Sequence, residues 1–146
     1  MFQGRYLQTM DEKGRVMIPA KFREVLKSRY DERLVLTNYD GCLLAFPFEE
    51  WRQLQERINQ KSWFIKEVRQ FSRFFVSSAV ECPLDRQGRV LIPQALRDFA
   101  ELDREVVLAG MNNRIEIWRK EKWEQEFRLS VENLDQIVQV IAELGL

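Results

Sequence analysis

The sequence predicts an α+β protein in which two tandem β-hairpin modules form a small β-barrel with flanking amphipathic helices. Three observations carry this. One motif occurs twice, turn residues punctuate short apolar runs in both copies, and the apolar residues of the intervening and final segments recur at helical spacing.

The first copy of the motif reads Asp11-Glu-Lys-Gly-Arg-Val-Met-Ile-Pro-Ala-Lys-Phe-Arg23. It aligns without gaps on Asp85-Arg-Gln-Gly-Arg-Val-Leu-Ile-Pro-Gln-Ala-Leu-Arg97, 74 positions further on. Asp, Gly, Arg, Val, Ile, Pro and the closing Arg are identical. After a two-residue deletion the match resumes 72 positions apart, with Asp31 on Asp103, Leu36 on Leu108, Leu43 on Ile115 and Trp51 on Trp123. These are two copies of a module of about 45 residues. The first spans 5–50 and the second 79–122, with linking helices in 51–78 and a C-terminal helical segment in 123–146.

Within each copy a strand ends at Met10 or Leu84 and a tight turn follows. Asp11 and Asp85 accept hydrogen bonds from backbone two or three residues on, and Gly14 and Gly88 take positive φ without a Cβ clash. Val16–Ile18 and Val90–Ile92 form a short apolar strand. It stops at Pro19 or Pro93, which lacks the ladder donor and suits the first turn of a helix. Short helices over Lys21–Leu26 and Ala95–Phe99 come next. A second hairpin is expected from Leu34–Thr37 and Cys42–Phe46, and in the second copy from Val106–Ala109 and Arg114–Trp118. Such a module is too small to bury much apolar surface alone, so the copies are expected to interleave.

Phe48–Gln60 and Ser62–Val76 read as helices, with apolar spacing at Trp51, Leu54 and Ile58, then Phe64, Val68, Phe71 and Phe75. The tail repeats the pattern at Trp123, Phe127 and Val131, then Leu134, Ile137, Ile141 and Leu144. These stripes are core by default. Ten Phe and four Trp exceed what one small core needs, however, so subunit contacts are a second use for them.

Composition narrows the function. The chain has 146 residues, is 45% hydrophobic and 32% charged, and its formal net charge is zero, as for an ordinary globular protein. No apolar run approaches signal-peptide or membrane-spanning length, so a cytoplasmic location and no membrane partner are expected. There is no histidine. That removes Cys–His and Ser–His nucleophiles, and no phosphate loop, dinucleotide fingerprint or serine nucleophile motif is present. We expect no enzyme, catalytic residue, metal, cofactor or small-molecule substrate. Cys42 and Cys82, isolated among apolar residues, read as buried fillers. Charge is segregated: 51–78 carries six basic and two acidic residues, 123–146 one basic and five acidic. Mutual pairing within or between subunits and two solvated helix faces both fit this pattern.

Met1-Phe2-x-Gly4, the doubled Asp-x-x-Gly-Arg-x-x-Ile-Pro and the Trp after each second hairpin together resemble the MraZ family, within the AbrB-like swapped-hairpin superfamily. The resemblance covers essentially the whole chain. It implies a cytoplasmic, nucleoid-associated transcriptional regulator that acts on the promoter of its own division and cell wall gene cluster. It also implies a homo-oligomeric ring of about eight to twelve subunits. The family's DNA-contacting role falls on Arg15 and Arg89, paired with Asp11 and Asp85.

A two-stranded β-ribbon fits the major groove, and an arginine fork grips guanine or phosphate bidentately. One such contact discriminates by about 1–3 kcal/mol, so specific binding needs many of them, as a ring on repeated promoter DNA would supply. Lys13, Arg86 and Arg5 are candidate phosphate contacts. Against this stands a plain ion pair of Arg15 with Asp11 and of Arg89 with Asp85. Gly14, Gly88, Pro19 and Pro93 are read as structural, Arg23 and Arg97 as structural ion-pair partners, and Trp51 and Trp123 as packing anchors. The alternative function is an AbrB-like antitoxin that binds a toxin and its own operator. Such a protein normally carries one module and a poorly ordered tail, unlike the patterned tail here.

Overall fold

A computed structural model describes all 146 residues. Strand β1 spans Arg5–Thr9 and β2 Arg15–Met17, followed by helix α1, Ala20–Arg29, and the hairpin β3, Arg33–Tyr39, with β4, Cys42–Pro47. Helices α2, Phe48–Asn59, and α3, Lys66–Phe71, lead through a π-helical turn at Ser72–Val76 into the second half. There the order repeats as β5, Val80–Pro83, β6, Arg89–Leu91, α4, Gln94–Phe99, β7, Glu105–Gly110, and β8, Ile115–Arg119. Helices α5, Lys120–Glu132, and α6, Leu134–Glu143, complete the chain. As expected, α1 and α4 begin directly after Pro19 and Pro93, whose φ values of −53° and −58° are already helical.

The strands pair across the halves. One antiparallel sheet has the order β1-β7-β8-β4-β3-β5, and β2 pairs only with β6 in a separate ribbon. The first strand of each half therefore borders the hairpin of the other: Tyr6 pairs with Leu108, and Val80 with Leu36. A pseudo-dyad exchanges the halves. It passes between Val16 and Val90 at the centre of the ribbon and between Leu44 and Glu116 at the centre of the β4–β8 ladder. The sheet is open, since β1 and β5 end it without pairing to each other, so the expected small barrel is replaced by a sheet and a ribbon that face each other across a core.

That core draws on both halves. Leu34, Leu36, Leu43, Val106, Leu108, Ile115 and Ile117 from the sheet meet Val16 and Val90 from the ribbon, with Phe22 and Leu96 from α1 and α4. Phe2 is also fully buried, edge-on to Phe22 and stacked on Tyr30, and its N–H and C=O pair with Asn112. A second cluster covers the opposite sheet face, where Val35, Leu44, Phe46, Val107 and Trp118 lie under Trp51 and Phe75. Both cysteines are buried and unpaired. Burial pushes the Cys42 thiol strongly up and the Cys82 thiol to about 11.

Two helical expectations change. The segment read as one helix over Ser62–Val76 starts only at Lys66, and its last turn widens into a π-helix. The buried Thr37 hydroxyl donates to the Phe75 carbonyl at 2.6 Å, satisfying one of the last carbonyls of this helix while the Phe75 ring fills the core. Of the tail stripes, expected as core, only Trp123 packs on the second cluster, and no residue of α5 or α6 is fully buried: Leu134 is 53% and Leu144 77% exposed. Periodicity defines an apolar face, but the chain's own sheet is already covered on both sides before α6 begins.

Candidate nucleic-acid interface

Both motif turns are built alike. Asp11 Oδ1 accepts the backbone N–H groups of Lys13 and Arg15 at 3.0 and 2.9 Å, and Asp11 Oδ2 accepts Arg15 Nε at 2.6 Å. In the second copy Asp85 Oδ1 accepts the N–H groups of Gln87 and Arg89, and its Oδ2 accepts Arg89 Nε, each at 2.9 Å. The Arg15 N–H is the strongest influence holding the Asp11 carboxyl below the usual carboxylate range, and the Arg89 N–H does the same for Asp85. Gly14 and Gly88 close the turns at φ +92° and +82°, each donating its N–H to the aspartate carbonyl at 3.0 Å.

Aspartate therefore spends its carboxylate on the turn backbone and on one guanidinium nitrogen. The Nη groups of Arg15 and Arg89 make no hydrogen bond within the chain, and the two side chains are 34% and 28% exposed. The ion pair expected as the competing reading is present, and it leaves the two-nitrogen edge of each arginine free.

The ribbon register sets the two arginines side by side. Arg15 lies opposite Leu91, and Arg89 opposite Met17. All four side chains alternate with Val16 and Val90, which face the core, so they share the outer face of the ribbon. Arg15 and Arg89 are diagonal neighbours on that face, with Cα atoms about 7–8 Å apart. Lys13 and Arg86 are exposed at the tips of the two turns. Arg5 is elsewhere. It begins β1, about 14 Å of extended strand before Thr9, and its guanidinium lies 4.6 Å over the Phe127 ring.

Arg23 and Arg97 do not form the expected ion pairs. Arg97 Nε donates to its own Ile92 carbonyl at 2.9 Å, and Arg23 Nε to the Ile18 carbonyl at 3.0 Å. Their guanidinium groups rest on the glycine of the other half's turn, Arg97 on Gly14 and Arg23 on Gly88. Sequence reasoning missed this placement. The available signal was the identity of the closing arginine in both copies, five residues after each Ile.

A doubled turn, a pseudo-dyad through the ribbon and a paired arginine face all express the duplication, and comparison with known proteins resolves it further. A family model described as "MraZ protein, putative antitoxin-like" matches residues 1–74 and again 75–139. The chain belongs to the MraZ family. Its two MraZ matches meet between the halves that the pseudo-dyad exchanges. Transcriptional regulator MraZ of Pediococcus pentosaceus is 42% identical, with 100% of each chain covered. The protein of the same name from Syntrophobacter fumaroxidans is 43% identical over 99% of this chain and 97% of that one. The MraZ protein of Pelotomaculum thermopropionicum is 42% identical over 100% and 99%. Among solved structures, the solution structure of PHS018 from Pyrococcus horikoshii matches over 80% of this chain and 88% of its own, at 16% identity and a TM-score of 0.34.

Proposed function

We propose that this MraZ-family chain is a sequence-specific DNA-binding transcriptional regulator of the division and cell wall gene cluster, its own promoter included. The observation that carries the reading is the pair Arg15 and Arg89 on one outer ribbon face, each held at Nε by its aspartate with the Nη edge unengaged. A two-stranded ribbon with arginines about 7–8 Å apart suits neighbouring contacts within one groove. One chain then supplies one paired contact, and tandem repeats are read by many chains together. Lys13 and Arg86 flank the pair as phosphate contacts. Arg5, engaged with Phe127, is left out of the contact set.

The partner set is double-stranded DNA and further copies of the chain, in a ring of about eight to twelve subunits. Support for self-association comes from the apolar faces left uncovered on α5 and α6 and from the aromatic run Trp63-Phe64-Ile65, where Phe64 is 91% exposed. The acidic tail and the basic 51–78 segment bring opposite charge to these two apolar surfaces. A cytoplasmic, nucleoid-associated location belongs to the same reading, and no helix is long and apolar enough to cross a membrane.

A gel shift on a tandem-repeat fragment from upstream of its own gene tests the proposal. Wild type is expected to form discrete complexes that weaken steeply with salt. Arg15→Ala combined with Arg89→Ala is expected to abolish them at unchanged melting temperature. Specific complexes that survive the double substitution would overturn the reading. The second reading, an antitoxin that binds a toxin and its own operator, draws on the antitoxin likeness in the family's description. A ribonuclease that co-purifies stoichiometrically would favour it.

A further inference from the structure

Each motif turn leans on a cation from the opposite half of the chain. Arg97 Nε is anchored on the Ile92 carbonyl, and the Ile92 N–H in turn donates to the Gly14 carbonyl at 2.9 Å. The Arg97 guanidinium then lies against Gly14, so close that a Cβ at that glycine would stand 2.7 Å from Cζ and from Nε. The other turn repeats this in mirror order: Arg23 Nε holds the Ile18 carbonyl, the Ile18 N–H donates to Gly88 O at 2.9 Å, and Arg23 covers Gly88.

Neither arginine is in an ion pair, so charge neutralisation does not explain its place. What the geometry uses is the anchored side chain. Nε ties each arginine to the carbonyl of Ile18 or Ile92, and the end of the side chain packs on the glycine that precedes Arg89 or Arg15. Glycine and arginine are matched choices here, because any side chain on the turn would displace the arginine. We propose that Arg97 is the positioning residue for Arg15 and Arg23 the positioning residue for Arg89, so that each DNA-contacting turn is set crosswise by the other half. This rests on the DNA reading above.

The test crosses two substitutions in the full-length protein, with a fluorescent duplex carrying the upstream region of its own gene as probe. Arg97→Met is expected to lower affinity roughly tenfold in the wild-type background and again in Arg89→Ala, but less than twofold in Arg15→Ala, since directly coupled pairs are non-additive. Arg23→Met is expected to show the reverse dependence. An equal fall in both backgrounds, or coupling of Arg97 to Arg89, would overturn the proposal: the first marks a direct phosphate contact or general loosening, the second control within one half.

Deuterium exchange without DNA gives an independent readout. Arg97→Met is expected to speed exchange in 11–15 and leave 85–89 unchanged. Equal acceleration of both turns rejects crosswise positioning whatever the DNA result. Crosswise exchange in a protein that binds no DNA rejects the DNA reading alone. Should Arg97→Met fail to fold, Arg97→Lys, which keeps the charge and the stem, carries the same comparison.

Discussion

The guanidinium carbon of Arg97 stands 2.7 Å from where a Cβ on Gly14 would be, whereas nothing lies within 4 Å of the same position on Gly41. Both glycines hold positive φ, +92° and +77°, so both substitutions by alanine carry a similar backbone strain of about 1–2 kcal/mol. Gly14→Ala must also displace Arg97, which adds about 1–3 kcal/mol. Urea unfolding is expected to rank Gly14→Ala well below Gly41→Ala in midpoint, with equal slopes. Equal midpoints would remove the contact from consideration.

Asp11 and Asp85 are expected to titrate below the ordinary aspartate value of 3.8, because the folded turn donates to their charged forms. A depressed folded pKa means their contribution is complete above 3.8 and disappears as pH falls through the lowered folded values. Carboxyl carbon NMR titration of both residues checks this.

Phe2, one residue from the N-terminus, belongs to the core. Phe2 is fully buried between Phe22 and Tyr30, so Phe2→Ala is expected to cost about 3–5 kcal/mol in chemical denaturation. Met1→Ala, at a position 48% exposed, is expected to change stability by less than about 0.5 kcal/mol.

On α6, Ile137 and Ile141 are 40% and 37% exposed and lie one turn apart. Ile137→Glu with Ile141→Glu is expected to leave the circular dichroism spectrum of the chain unchanged and to lower the mass measured by light scattering. An unchanged mass would show that copies of the chain meet through another surface.

Much of this molecule was legible in its residues. The duplication, the turns at Gly14 and Gly88, and the helix starts after Pro19 and Pro93 follow from local chemistry, because turn glycines and prolines act on the backbone beside them. Partner choice between strands is tertiary, and nothing in β1 itself says that Tyr6 will meet Leu108 instead of its own half's hairpin. The tail stripes were legible as helices, but apart from Trp123 they stay outside the chain's own core, since spacing reports an apolar face and not what covers it. The Asp–Arg pairing was visible four residues apart. The crossing of Arg97 onto Gly14 was hidden, because it depends on the two short strands lying side by side.

The exchange of first strands also governs the order in which the chain can be completed. Arg5 pairs with Ala109, 104 positions later, so during synthesis at about 5–20 residues per second β1 leaves the ribosome roughly 5–20 seconds before its neighbour. Until then the sheet can close only as the β3–β4 hairpin, joined by β5 on its free β3 edge. The nascent protein carries unsatisfied strand edges for most of its birth, and its final closure is a late, long-range event.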